Sequence, residues 1–288
     1  MMGSITDVRG ITVGHWTDRE AVTGLTVVLL PPGCRGGVCI SGSAPATRET
    51  PVLSPGSWVQ EIHAVCLSGG SAFGLDAAGG VMRHLACRSV GHPTRFGPVP
   101  IVPCACIYDL NQGDREARPG PDEAERACEA ASETFETGRV GAGTGATCGK
   151  WRGIENAVPA GVGTSCASMG EVRVGALAVA SPVGDIVAED GSLLLGAGPG
   201  PGEFRGASVP NTILVIAATN ARLDRPLCHL AAARIPDGIA RAVRPAHTLH
   251  DGDVGFFVSA GEVEAPVDVV FHLASEATSA AIRSVANR

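Results

Sequence analysis

Val209-Pro210-Asn211-Thr212-Ile213-Leu214-Val215-Ile216 passes from a proline turn into an unbroken apolar run with nothing in between. From Thr212 onward the residues are β-branched and continuously apolar, the pattern of a strand covered on both faces. Upstream, residues 196–208 read GAGPGPGEFRGAS, too rich in glycine and proline for regular structure, which predicts a flexible surface linker over 196–210. One hydroxyl, that of Thr212, therefore stands at the border between loop and core. Two readings of it are open. An ordinary Pro-Asn turn before a buried strand accounts for it. So does a self-cleaving junction, in which Thr212 attacks the carbonyl of Asn211 to form an ester that water opens. Thr212 then becomes an N-terminus whose α-amine, with an unperturbed pKa of about 7.7–8.0, serves as base for its own hydroxyl.

Working outward, apolar β-branched runs at 24–31, 62–68, 99–108, 172–180, 254–259 and 267–273 predict further buried strands. Helical patterns lie between them. Leu75, Ala78, Met82 and Leu85 share one helical face, and Ala124, Cys128, Ala131 and Phe135 share another. Asp224 as N-cap with Pro226 in the first turn opens a third helix, which Pro236 is expected to kink or split. A last helix is expected over 275–287. Mixed strands and helices imply a layered α/β or α+β fold. With 288 residues, no internal repeat and no second core, the chain is expected to form one domain over 1–288.

Composition excludes several classes of function. Twenty-two Lys+Arg against 29 Asp+Glu give a net charge of −7, which leaves no basic field to neutralise phosphates, so no nucleic-acid partner is expected. No run of 18 apolar residues exists, and the first 16 residues lack a charged segment followed by an apolar one, so a cytoplasmic protein without membrane contact is expected. Ten cysteines in a chain of this length fall well short of a disulfide scaffold, and reduced, mostly buried thiols are expected. Cys104 and Cys106 are not accompanied by any C-x-x-C pair or H-E-x-x-H, so neither a metal nor a cofactor is expected. The glycine-rich stretch 141–150, GAGTGATCGK, fails as a phosphate loop. Thr144 stands where a Walker A motif needs glycine, and Trp151 where it needs Ser or Thr. Its match to the looser G-x-G-x-x-A pattern lacks a preceding strand and an acidic residue for a ribose.

Two residue types occur once. Lys150 is the only lysine among 22 basic residues, and Tyr108 is the only tyrosine. A lysine retained where arginine has otherwise been used points to lysine's own chemistry, a compact ammonium whose pKa falls on burial. Chance survival of a surface lysine is the alternative, and a lone tyrosine also fits a core edge. Downstream, Asp251 and Asp253 stand two apart just before a strand, so in an extended segment they face the same side; an Asp-Gly-Asp turn is the alternative.

Taken in order, several stretches resemble the L-aminopeptidase/D-esterase (DmpA-type) family of self-cleaving hydrolases, which includes β-peptidyl aminopeptidases and the nylon-oligomer hydrolase. They are Ile5-Thr6-Asp7-Val8-Arg9-Gly10-Ile11-Thr12-Val13-Gly14-His15, Ala44-Pro45-Ala46-Thr47-Arg48-Glu49-Thr50 and Gly69-Gly70-Ser71-Ala72-Phe73-Gly74-Leu75. Pro100-Ile101-Val102-Pro103, Gly161-Val162-Gly163-Thr164 and Val183-Gly184-Asp185 follow. Asn211-Thr212, Arg244-Pro245-Ala246-His247-Thr248 and Asp251-Gly252-Asp253 close the series. The resemblance implies a four-layer αββα sandwich, like that of N-terminal-nucleophile and ornithine-acetyltransferase enzymes but not in the standard connection order of the former. It implies cleavage into 1–211 and 212–288, assembly into a homo-oligomer of four or more copies, and a small peptide or amide substrate. It also implies roles: Thr212 as nucleophile, Asn211 before the cut, Asp251 and Asp253 holding the nucleophile and its amine, and Lys150 and Tyr108 as donors to the oxyanion.

One departure stands out. Many members carry an asparagine as an oxyanion contact two residues before the Val-Gly-Asp turn, where this chain has Ser181 followed by Pro182. A serine hydroxyl donates one hydrogen bond with a shorter reach, and losing an oxyanion donor costs about 10²–10³ in rate. The linker before Asn211 is also short. Two rivals stand beside the hydrolase: an acyltransferase of the ornithine-acetyltransferase type, whose relatives use a self-generated Thr in a similar layered architecture, and an uncleaved, non-catalytic binding protein of the same fold in which Ser181 and the short linker have disabled the chemistry.

Overall fold

The computed structural model describes residues 3–198 and 210–287, so the expected linker lies for its greater part outside the described residues. In chain order the strands are β1 (Thr12–Asp18), β2 (Thr23–Leu29), β3 (Arg35–Ile40), β4 (Ala46–Arg48), β5 (Ala64–Ser68), β6 (Cys104–Cys106), β7 (Thr147–Cys148) and β8 (Val158–Pro159). There follow β9 (Gly161–Met169), β10 (Val172–Ser181), β11 (Asp185–Val187), β12 (Leu193–Leu195), β13 (Thr212–Ala221), β14 (Val243–Arg244) and β15 (Val254–Val263). The helices are α1 (Ala77–Ala86), α2 (Pro121–Glu129), α3 (Arg225–Ala232), α4 (Ile235–Ala242) and α5 (Val267–Ser284).

Two five-stranded sheets dominate, ordered β1-β2-β5-β6-β4 and β3-β15-β13-β10-β9. Side-chain alternation shows how they stack. On the first sheet Leu25, Val27, Cys66 and Cys104 point outward and pack with Ala78 and Val81 of α1 and Ala124 of α2. Their neighbours Val28, Val65, Leu67 and Ala105 point inward, into a core shared with the second sheet. Helices α3, α4 and α5 cover the far side of that second sheet, which gives four layers, helix-sheet-sheet-helix. Glycine at strand positions lets the helices sit close. A Cβ on Gly14 would lie 1.8 Å from the carbonyl oxygen of Ala127 in α2, and one on Gly163 would lie 2.1 Å from that of Ala281 in α5.

The second sheet carries the junction. β13 is its central strand, and all ten of its residues are buried. It pairs antiparallel with β10, placing Ser181 opposite Thr212, and parallel with β15, placing Leu214 opposite Val254. A bridge between Asn211 and Asp251 extends that parallel ladder one step upstream of the strands.

Several elements differ from the sequence expectation, each for a local reason. The run 267–273, read as a strand, is the first part of α5. Val270, Leu273, Ala274, Ala277, Ala281 and Ile282 are its buried apolar positions, a helical spacing that outweighs the β preference of Val267, Val269 and Val270. The run 99–108 contributes only Cys104–Cys106, since Pro100 and Pro103 have no N–H for a ladder. α2 stops at Glu129, so Ala131 and Phe135 lie beyond it, and Ser132 pairs instead with Val13. Leu75 belongs to a 3₁₀ turn ahead of α1. Pro236 does split its helix: α3 and α4 meet at Ala233-Arg234. All ten cysteines are free thiols, and only Cys39, Cys87 and Cys166 are not buried. No helix among the described residues is long and apolar enough to cross a membrane.

Candidate active site

The site is built around the peptide group that joins Asn211 to Thr212. Asn211 donates its N–H to the carbonyl oxygen of His250 at 2.9 Å, and its own carbonyl oxygen accepts the N–H of Gly252 at 2.7 Å. The Thr212 hydroxyl donates to that same Asn211 oxygen at 2.5 Å. Thr212 is 3% exposed and Asn211 fully buried. The hydroxyl thus sits beside the carbonyl that self-cleavage needs it to attack, and a backbone donor already polarises that carbonyl.

Two buried carboxylates order the surroundings, Asp253 holding the strand that follows this peptide and Asp251 the segments of Val183 and Thr248. Asp253 accepts the Ile213 N–H on Oδ1 at 2.7 Å and meets His247 Nδ1 through Oδ2 at 2.8 Å. Asp251 accepts the Val183 N–H on Oδ1 at 3.1 Å, and on Oδ2 both the N–H and the hydroxyl of Thr248, at 2.8 and 2.7 Å. Both are about 1% exposed. Burial raises the Asp251 carboxyl above its ordinary range, and the charge of Asp253 adds to the rise, against the bonds from Thr248 and Val183. The backbone around the pair is tied to the loop before β4: Asp251 O accepts from Ser43 and Ala44, and Asp253 O from Ser41 and Gly42.

Lys150 reaches the end of β10. Its Nζ donates to the carbonyl oxygen of Ser181 at 3.1 Å and contacts Ser181 Oγ at 3.2 Å. Burial lowers its pKa to about 7, with Cys148 and Asp251 opposing the fall. Ser181 Oγ also accepts the Thr147 N–H at 3.3 Å. Because Ser181 faces Thr212 across the β10–β13 ladder, their Cβ atoms belong to a directly opposed pair, roughly 4.5–5.5 Å apart in such ladders. Lys150 thus contacts the residue that stands opposite Thr212 in the ladder. The stretch 141–150 serves this placement. Gly149 has a φ of +76°, and a Cβ there would meet Ala197 N at 2.5 Å.

The geometry brings together Asn211, Thr212, Asp251, Asp253, Lys150 and Ser181. Tyr108 is half-buried, two residues beyond β6. Its neighbour Asp109 is pinned, accepting Gly70 N–H and the Thr23 hydroxyl, both at 2.7 Å. Four participants were not singled out from sequence: Gly252, His247, Thr248 and Val183. Gly252 carries a signal in hindsight, a glycine between two acids. A Cβ there would lie 2.4 Å from Ala44 O and 3.0 Å from Thr212 Oγ1, so only glycine offers its N–H at this place.

The comparisons with known proteins agree with this architecture. The profile of peptidase family S58 matches residues 3–287. The chain belongs to peptidase family S58. As an S58 member it is a hydrolase of peptide or amide bonds. An uncharacterized aminopeptidase of Mycobacterium leprae is 40% identical over 92% of this chain and 80% of the relative. A 6-aminohexanoate-oligomer endohydrolase of Paenarthrobacter ureafaciens is 31% identical over 90% of this chain and 76% of its own length. Among solved structures, the L-aminopeptidase D-Ala-esterase/amidase of Ochrobactrum anthropi superposes with a TM-score of 0.77. It covers 99% of this chain and 86% of its own at 18% identity, and is described as a variant of the Ntn hydrolase fold. The S58 fold and the layering of the two sheets thus coincide.

Proposed function

We propose that the chain cleaves itself between Asn211 and Thr212 and then works as an aminopeptidase-like amidohydrolase with Thr212 as its N-terminal nucleophile. One observation carries the reading: the Thr212 hydroxyl and the Gly252 N–H converge on the carbonyl oxygen of Asn211. In the uncut chain Thr212 Oγ attacks the Asn211 carbonyl carbon, and its proton passes to neutral Lys150 through Ser181. The Gly252 N–H carries the oxyanion. The C–N bond then breaks as Lys150 returns that proton to the departing Thr212 nitrogen, and water opens the ester to leave a carboxylate on Asn211 and a free amine on Thr212.

In the mature enzyme that amine accepts the proton of its own Oγ as the hydroxyl attacks a substrate amide. With the Asn211 carbonyl gone, a substrate carbonyl takes its place against Gly252. Lys150 and Ser181 supply further donors to the oxyanion, and Asp251 and Asp253 hold the ammonium and the strand that bears it. Tyr108 enters as a donor on the resemblance alone, as does assembly into a homo-oligomer of four or more copies. Substrates are small peptides or amides with a free amino end, amide oligomers of ω-amino acids among them, following the 6-aminohexanoate-oligomer activity of one relative.

The test is an acid quench of the enzyme turning over an aminoacyl anilide, followed by mass measurement under denaturing conditions. The chain starting at Thr212 is expected to gain the mass of the acyl group. Turnover with no such adduct, even under single-turnover conditions, contradicts covalent catalysis by Thr212. Transfer of the acyl group to an added amine in preference to water identifies a transferase instead.

A further inference from the structure

We propose that His247 is a positioning residue of this site, an imidazolium clamp that fixes Asp253 against the strand bearing the nucleophile. The proposal rests on the reading of Thr212 as nucleophile and adds a residue to which no role is otherwise assigned.

The geometry of the ring carries it. Nδ1 lies 2.8 Å from Asp253 Oδ2, and Nε2 lies 3.2 Å from the carbonyl oxygen of Pro236 in α4. A carbonyl oxygen only accepts and an ionised carboxylate only accepts, so both ring nitrogens must donate. A neutral imidazole has one N–H and would leave one of these contacts without a proton. The ring satisfies both only as the cation. The charged groups acting on it are Asp253 directly and Asp251 farther off, both from the segment before β15, while α4 presents the Pro236 carbonyl. The Asp253 hydrogen bond raises its pKa against the opposing effect of burial.

Backbone conformation points the same way. His247 has a φ of +53°, a left-handed conformation uncommon for residues other than glycine. Such a conformation persists where its surroundings hold it, often at functional sites. Here it turns the ring inward while 23% of the side chain stays exposed, against 1% for Asp253. The consequence for chemistry is indirect. With Oδ2 held by the ring, Oδ1 is directed at the Ile213 N–H, the amide next to Thr212. Asp253 thus cannot rotate away from the nucleophile's backbone, either in the uncut chain or after the cut.

The test has two readouts on the full chain. In the uncleaved Thr212→Ala background, long-range ¹⁵N–¹H correlation of the histidine rings, assigned by the signal lost in His247→Asn, is expected to show His247 with both nitrogens protonated at pH 7. In the otherwise natural chain, His247→Leu is expected to slow self-cleavage and lower kcat by at least tenfold, with KM changed less than threefold. His247→Asn keeps one N–H donor toward Asp253 and tolerates positive φ, so it is expected to recover most of both rates. A ring carrying a single proton overturns the clamp. So do equal losses in the Leu and Asn variants, or rates unchanged in His247→Leu. Failure of the natural chain to cleave would instead count against the nucleophile reading, and the ring spectrum would still report on His247.

Discussion

Thr212→Ala is expected to remain one chain of 29.2 kDa and to lose amide turnover by on the order of 10³-fold or more, since it removes the attacking group of both reactions. Two separate measurements check it, intact mass for self-cleavage and product release for turnover. The substitution removes one hydroxyl and one methyl at a position 3% exposed. The β13 ladder is made by backbone groups, and Asp253 holds the Ile213 amide, so the fold is expected to persist. Thr212→Ser keeps the hydroxyl and is expected to cleave and turn over. An alanine variant that still yields a chain starting at residue 212 contradicts the assignment outright.

Lys150→Met is expected to slow self-cleavage by about 10²-fold or more, the usual worth of a positioned proton acceptor. It is also expected to change how stability depends on pH. Lys150 titrates at about 7 in the folded chain against 10.5 ordinarily, so between these values the unfolded chain binds more protons than the folded one. Stability therefore rises as pH climbs from about 7 to about 10.5 and levels off above. Below pH 7 the buried amine must be charged or the chain must open, and the full span corresponds to roughly 5 kcal/mol at about 1.4 kcal/mol per pH unit. Methionine fills similar space without a charge, so the variant is expected to lose this rise and to be the more stable protein at pH 7. Urea unfolding of both forms across pH 6–10 measures it. Parallel stability curves for the two proteins would show that Lys150 keeps its ordinary pKa in the folded chain.

Much of the site was legible in sequence because its members occupy unusual positions. Thr212 ends a Pro-Asn turn and begins a continuous apolar run, a place where a polar residue draws notice. Lys150 is the only lysine in an arginine-rich chain, and Asp251 and Asp253 share a spacing that puts two acids together. What could not be read is what tertiary pairing decides. Gly252 matters through its N–H and its lack of a Cβ, neither of which marks it out from the chain's other glycines. His247 matters through a left-handed backbone and two acceptors from different elements, a conjunction no local pattern reveals. Ser181 stands out in sequence as a departure from the family pattern, but its register opposite Thr212 and its contact with Lys150 are set by tertiary pairing.

The fold divides along the same line. β13, β10 and β15 are long and buried on both faces, so their apolar runs announced them. Short strands such as β6 and β7 are held by neighbours and carry too few residues for a period. α5 misled because its first turn is rich in β-branched residues, and only the spacing of its buried positions over several turns shows the helix.

Intact mass under denaturing conditions, on the purified natural chain, tests the central claim most directly. Cleavage before Thr212 predicts two species of roughly 21 and 8 kDa from the 29.2 kDa chain, the smaller with threonine as its first residue. A single 29.2 kDa species that persists through prolonged incubation, together with amide turnover, would contradict an N-terminal threonine nucleophile in this protein.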